Sequence, residues 1–180
     1  MGSRHVPRVR AYRSARSGHP RFIGIAAALA ITAVLLSACG SDDDGGDAET
    51  TQAATTDGAS VAVTLQEFAV SADPASVPAG SVTFDVTNTG PDDVHEFVII
   101  RTDLGATELP VDDDGAVLED GEGMTVIDEI EDLAVDDTQA LTVDLAAGTY
   151  VLICNILQEE PDGTLEAHYA EGMRTGFTVE

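Results

Sequence analysis

The sequence predicts an all-β domain, an antiparallel β-sandwich, and three observations lead there. Apolar and polar residues alternate in short runs, turn-forming residues separate those runs, and little sustained helical period is present. Val61, Val63 and Leu65 make the first alternating run; the phase then shifts to Phe68 and Val70, which predicts a bulge or kink near Gln66-Glu67. Pro74, Pro78 and Gly80 break the chain before Val82, Phe84 and Val86 alternate again. Asn88-Thr89-Gly90-Pro91 is a turn. After it His95, Phe97 and Ile99 share one strand face, with Val98 and Ile100 opposite. Leu141, Val143 and Leu145 form another strand, Ala147-Gly148 turns the chain, and Tyr150 to Ile156 is apolar on both faces, as in a buried strand. Phe177 and Val179 belong to a closing strand.

The stretch from Asp103 to Asp137 fits this pattern least. It holds fourteen acidic residues and no basic one, and a structureless loop of that length is unusual in a compact domain. Val126, Ile130 and Leu133 are spaced for one helical face, whereas Thr125 to Ile127 suits a strand. A surface excursion with one short helix or strand is expected. No calcium-loop register is met around Asp112 to Gly115, so its acids read as a solvated face.

Residues 1–60 have a different character. Six of the eight basic residues, all arginine, lie before residue 22, and no acid precedes Asp42. Arg4 to Arg21 is a basic region, and Phe22 to Ala38 is an unbroken run of apolar and small residues, long enough to be either a signal or a tilted membrane span. Leu36-Ser37-Ala38-Cys39 resembles a lipobox, which implies cleavage after residue 38 and an acylated Cys39 as the new N-terminus. Residues 39–60, with Asp42-Asp43-Asp44, several glycines and a Thr/Ala run, read as a flexible tether with a reach of about 25 Å. Residues 61–180 form the folded domain. The protein is expected to be exported and held by lipid at the outer face of the cell membrane, or on its periplasmic side.

Without residues 1–38 the chain keeps Arg101 and Arg174 against 33 acidic residues, a formal charge of −31. Nucleic acid and anionic headgroups are poor partners for such a surface; solubility or steering of a basic partner protein suits it.

Loss of the leader removes His5 and His19 and leaves two histidines, His95 and His168. With Cys39 acylated, Cys154 has no intramolecular partner. Three explanations stand: a buried inert thiol, a bridge between molecules, or a thiolate held by a metal. Two imidazoles and a thiolate make a trigonal set, to which a thioether adds a weak axial donor, a combination that suits copper. Met173 follows His168 by five residues, and its glycine and polar neighbours make a poor core context.

These residues resemble the cupredoxins, the type 1 blue copper proteins. The resemblance runs from about Val63 to Glu180. It is carried by Ala79-Gly80-Ser81-Val82-Thr83-Phe84, Asn88-Thr89-Gly90, His95-Glu96-Phe97, Gly148-Thr149-Tyr150-Val151-Leu152-Ile153-Cys154-Asn155 and His168-Tyr169-Ala170-Glu171-Gly172-Met173. It implies a Greek-key β-sandwich holding one copper ion, with His95 as upstream imidazole ligand, Cys154 as thiolate, His168 as second imidazole and Met173 as axial thioether. The family usually places the second histidine a few residues after the cysteine, often as Cys-Asn-x-Pro-Gly-His. Here thirteen residues intervene, and Leu157 to Ala167 is expected to loop out as a hairpin.

The sequence holds no His-Glu-x-x-His, Cys-x-x-Cys, Gly-x-Ser-x-Gly or phosphate-loop pattern. The expected function is that of a one-electron carrier and not of an enzyme. Copper capture or delivery is the alternative, and a metal-free interaction domain a third.

Overall fold

The structure, a computed structural model, describes residues 8–10 and 58–180. Apart from Arg8–Arg10, the expected leader, the acylated Cys39 and the tether as far as residue 57 lie outside the described residues. The strands are β1 (Arg8–Arg10), β2 (Ala59–Gln66), β3 (Ala69–Asp73), β4 (Ser76–Val77), β5 (Gly80–Asn88), β6 (His95–Thr102), β7 (Met124–Leu133), β8 (Thr138–Leu145), β9 (Gly148–Ile153), β10 (Leu157–Glu159), β11 (Leu165–Ala167) and β12 (Arg174–Val179). One helical turn, α1 (His168–Glu171), precedes the last strand.

Two sheets make the sandwich, ordered β4-β12-β9-β6-β7 and β3-β2-β5-β8. The chain passes between them after β3, β4, β5, β7 and β8, the crossover wiring of a Greek-key sandwich. A small third sheet, β1-β10-β11, contains the hairpin between Cys154 and His168.

The sandwich is not wholly antiparallel. β5 runs parallel to β2, and β4 parallel to β12. β3 and β4 carry the chain back to its starting end before β5 begins, so β5 runs beside β2 in the same direction.

Alternation does its expected work in the core. Val61, Val63 and Leu65 of β2, Phe84 of β5, Phe97 and Ile99 of β6, and Leu152 of β9 are buried together between the sheets. The ring of Phe84 meets Phe97 and Phe177 at centroid distances of 5.5 Å and 5.4 Å, pairs that each add about 0.5–1.5 kcal/mol beyond area burial.

Two elements differ from expectation. At Gln66-Glu67 there is no bulge within a strand: Gln66 pairs with Ala69, and the chain reverses tightly through Glu67 and Phe68. The acidic excursion contains a strand and no helix, one of the two expected alternatives, but the strand is longer than expected and belongs to the main sheet. It is β7, ten residues long, in the second half of the excursion. Ile130 pairs with Phe97 and Leu133 with His95, so three steps on β7 match two on β6, and Asp132 takes up the extra residue at φ 53°. A second register shift lies at Ile99/Ile100. The shift beside His95 sets Ile130 and Leu133, three residues apart, in the inner core together, while Val126 packs on the outer face.

The first half of the excursion is more than a solvated surface. Leu109 and Val117 pack with Val98, Ile100, Val151 and Ile153 on the outer face of the five-stranded sheet. That cover explains why β6 and β9 are apolar on both faces.

Candidate metal centre

His95 opens β6, and Cys154 directly follows β9, the neighbouring strand in the same sheet. Their side chains meet at the end of the sandwich, where α1 delivers His168. Nδ1 of His95 lies 3.2 Å from Nδ1 of His168. Sγ of Cys154 lies 3.4 Å from Nδ1 of His168 and 3.9 Å from Nδ1 of His95. All three residues are fully buried. Donors about 2.0–2.3 Å from a common ion in a trigonal plane stand about 3.5–3.9 Å apart, so this triangle, with sides of 3.2, 3.4 and 3.9 Å, is slightly smaller than but close to the size for one metal.

Met173 is tied to two of these three residues by its main chain. Its N–H donates to the carbonyl of His168 at 3.0 Å, and its carbonyl accepts from the N–H of Cys154 at 3.1 Å. It is fully buried and belongs to the main core, contrary to what its glycine and polar neighbours suggested. The reason lies next door. Gly172, at φ 138°, ends α1 by donating its N–H to the carbonyls of His168 and Tyr169, which turns the chain inward at Met173. A Cβ on residue 172 would stand 2.8 Å from the carbonyl oxygen of Phe68, so the turn requires glycine.

Several residues that support the donors were not singled out in the sequence. Asn88, read there as part of a turn and of a segment that carries the resemblance, is fully buried. Its Nδ2 donates to the carbonyls of Asp93 and Leu133 at 2.8 Å and 2.9 Å, and its Oδ1 accepts from the N–H of Gly90 at 2.8 Å. The loop entering His95 is thereby tied to the end of β7. The N–H of Glu96 donates to Sγ of Cys154 at 3.4 Å, a bond suited to a thiolate. Glu96 Oε1 accepts from the N–H of Asn155 at 2.8 Å. Asn155 in turn exchanges bonds with the main chain of Val117 at 2.6 Å and 3.0 Å and donates to Glu119 at 3.0 Å. The residue after the cysteine thus staples the acidic excursion to the site. Phe68 sets its ring edge against His168 at a centroid distance of 5.3 Å. Glu96 and Asn155 carried one available signal, since each directly follows a donor.

Burial dominates the electrostatics. It pushes the Cys154 thiol well above its ordinary range, with the charge of Glu96 adding to the effect. It lowers His95, and with His95 as neighbour it holds His168 down to about 4. Burial and then the charge of Glu119 raise Glu96 to about 8. Both imidazoles are therefore neutral, the form that ligates metal. Each has a buried Nε2 with no hydrogen-bond partner.

A buried His₂Cys triangle with a methionine bonded through its main chain to two of the three, at the end of a Greek-key sandwich, is the arrangement that the resemblance to cupredoxins implied. The chain is cupredoxin-like. Solved structures of that kind are similar to it. One is auracyanin from the photosynthetic bacterium Roseiflexus castenholzii, at 25% identity and a TM-score of 0.45 over 68% of this chain and 99% of that one. Another is auracyanin A, a "blue" copper protein from Chloroflexus aurantiacus, at 20% identity and a TM-score of 0.43 over 67% and 98%. A third is rusticyanin from Thiobacillus ferrooxidans, at 19% identity and a TM-score of 0.42 over 68% and 79%. No protein-family model matches the chain, and no curated protein matches it in sequence. At these TM-scores the likenesses stand as likenesses only, and the chemistry follows from the donor atoms of this cupredoxin-like site. Soft sulfur with two imidazoles fits one copper ion.

Proposed function

We propose that the protein is a copper-binding one-electron carrier, held by an acylated Cys39 at the outer face of the cell membrane. The supporting observation is the sealed donor set: His95, Cys154, His168 and Met173 are all fully buried, and a site closed by four protein donors leaves no position for a substrate. Copper in such a site supplies one-electron exchange between Cu(II) and Cu(I). The chain's own part is to hold the donors still in both oxidation states. β6 and β9 fix His95 and Cys154 within one sheet, the Glu96 N–H directs Sγ, and the packed core behind them keeps water out. Little reorganisation on electron transfer is the property that this rigidity favours.

Titration of the purified protein with Cu(II) tests the reading. One equivalent should bind with an intense visible absorption, lost on reduction and restored on oxidation, and Cys154→Ala should abolish the colour. A colourless protein without stoichiometric copper would end the copper reading. Rapid surrender of copper to a mild chelator would favour copper delivery over electron transfer.

The acidic surface favours a basic redox partner, whose encounter rate should fall as salt is added. Stopped-flow reduction of a cationic acceptor across ionic strength reads this. A flat dependence would leave the acids as a solubility device.

A further inference from the structure

Glu67 lies in the tight reversal between β2 and β3, remote in sequence from every donor. Its Oε1 accepts from the N–H groups of Asp92 and Asp93 at 3.1 Å and 2.6 Å, which clamps the carboxylate to the loop entering His95. The same oxygen lies 3.7 Å from Nε2 of His95, with the two side chains 11% and 0% exposed. Nε2 of His95 and Oε2 of Glu67 are both buried without a hydrogen-bond partner. Unpartnered buried polar atoms are few in folded proteins, and here the carboxylate of Glu67 and the imidazole of His95 each hold one, with the groups 3.7 Å apart at their Oε1 and Nε2 atoms.

The orientation of the imidazole says what the pair is for. His95 turns Nδ1 toward Cys154 and His168. When Nδ1 gives its lone pair to a metal, the ring proton of the neutral imidazole resides on Nε2, which then needs an acceptor. On the His168 side the nearby carboxylate of Asp93 already accepts from Gln158 at 2.9 Å, whereas Glu67 retains an uncommitted oxygen.

We propose that Glu67 is a positioning residue for His95, accepting the Nε2–H of the metal-bound imidazole. Its negative charge makes the imidazole a stronger donor and favours Cu(II) over Cu(I). This inference rests on the copper reading given above.

Affinity for both oxidation states, measured by chelator competition, together with the reduction potential, tests it in the wild type, Glu67→Gln and Asp144→Asn. The last removes an equal charge from an exposed position on β8, in the sheet opposite that of His95. Glu67→Gln should weaken Cu(II) binding about tenfold or more and Cu(I) binding less. Each tenfold difference between the two raises the potential by about 59 mV. Asp144→Asn should leave the potential in place. Should Glu67→Gln fail to fold, Glu67→Asp, which keeps the charge but withdraws it, should give a smaller shift in the same direction. Equal weakening of both oxidation states, or an equal shift in the Asp144 variant, would overturn the proposal and leave Glu67 as a clamp for the 92–93 loop. A wild type that binds no copper would overturn the copper reading first, and this inference with it.

Discussion

His95 and His168 reach the same point in space by different means. His95 belongs to a strand flanked on both sides, by β7 and β9, and its approach loop is tied down by Asn88. His168 sits on one helical turn at the far end of an inserted hairpin. Its N–H donates to the carbonyl of Ile156 at 3.0 Å, and its carbonyl accepts from Met173. Arg174, one of the two arginines beyond the leader, donates to the Tyr169 and Ala170 carbonyls at the end of that turn. The first imidazole is mounted by contacts between distant parts of the chain; the main-chain bonds of the second are short-range, among residues 154–174, with the Tyr169 hydroxyl on the Ala106 carbonyl at 2.8 Å and the Phe68 ring as its distant ties. Long-range mounting couples a ligand to the stability of the whole domain; local mounting makes it depend on its own loop.

The largest effect expected from this contrast is that of Asn88→Ala. The change leaves the carbonyls of Asp93 and Leu133 and the N–H of Gly90 without their buried partner. At about 1 kcal/mol or more for each unsatisfied group, the metal-free protein should lose about 3 kcal/mol. Denaturant unfolding measures it. A loss below about 1 kcal/mol would mean that the loop into His95 is held by other bonds, and the contrast between the two mounts would fail.

The same contrast explains what could be read from the sequence. Strand-borne features were legible, because alternation reports directly on a two-layer core: Val61, Val63, Leu65, Phe84, Phe97 and Ile99 are buried where the pattern put them. The order His95, Cys154, His168, Met173 pointed to one site, and the structure brings the first three donor atoms together, with Met173 tied to two of them through its main chain. β7 was obscured because two register shifts break its period. α1 was invisible because four residues carry no period at all. The burial of Met173 depends on the turn at Gly172, and the role of Glu67 on a reversal that places residues 67 and 95 side by side. Contacts of that kind between separate turns leave no local pattern for a sequence to show.

The smallest effect should come from the tip of the inserted loop. β10 and β11 do form the expected hairpin, with Glu159 paired to Leu165. Residues 160–164 close it through bonds among themselves: Glu160 N–H to the Thr164 carbonyl at 2.9 Å, Gly163 N–H to the Glu160 carbonyl at 2.9 Å, and Thr164 N–H to Asp162 Oδ1 at 3.0 Å. Among the described residues one side-chain bond leaves this group, from Gln158 to Glu160 at 3.0 Å. Replacing residues 160–164 with Asn-Gly, a two-residue turn suited to a hairpin, removes the tip but keeps the paired strands and the Ile156 bond to His168. Loop-closure entropy varies slowly with length, so stability should change by less than about 1 kcal/mol, and the variant should still bind one equivalent of copper. If His168 is mounted by the bonds at the base of the loop, the visible spectrum should also stay in place. A variant that folds but loses its colour would instead make the tip part of the scaffold. The second imidazole would then be held, like the first, by something remote from it.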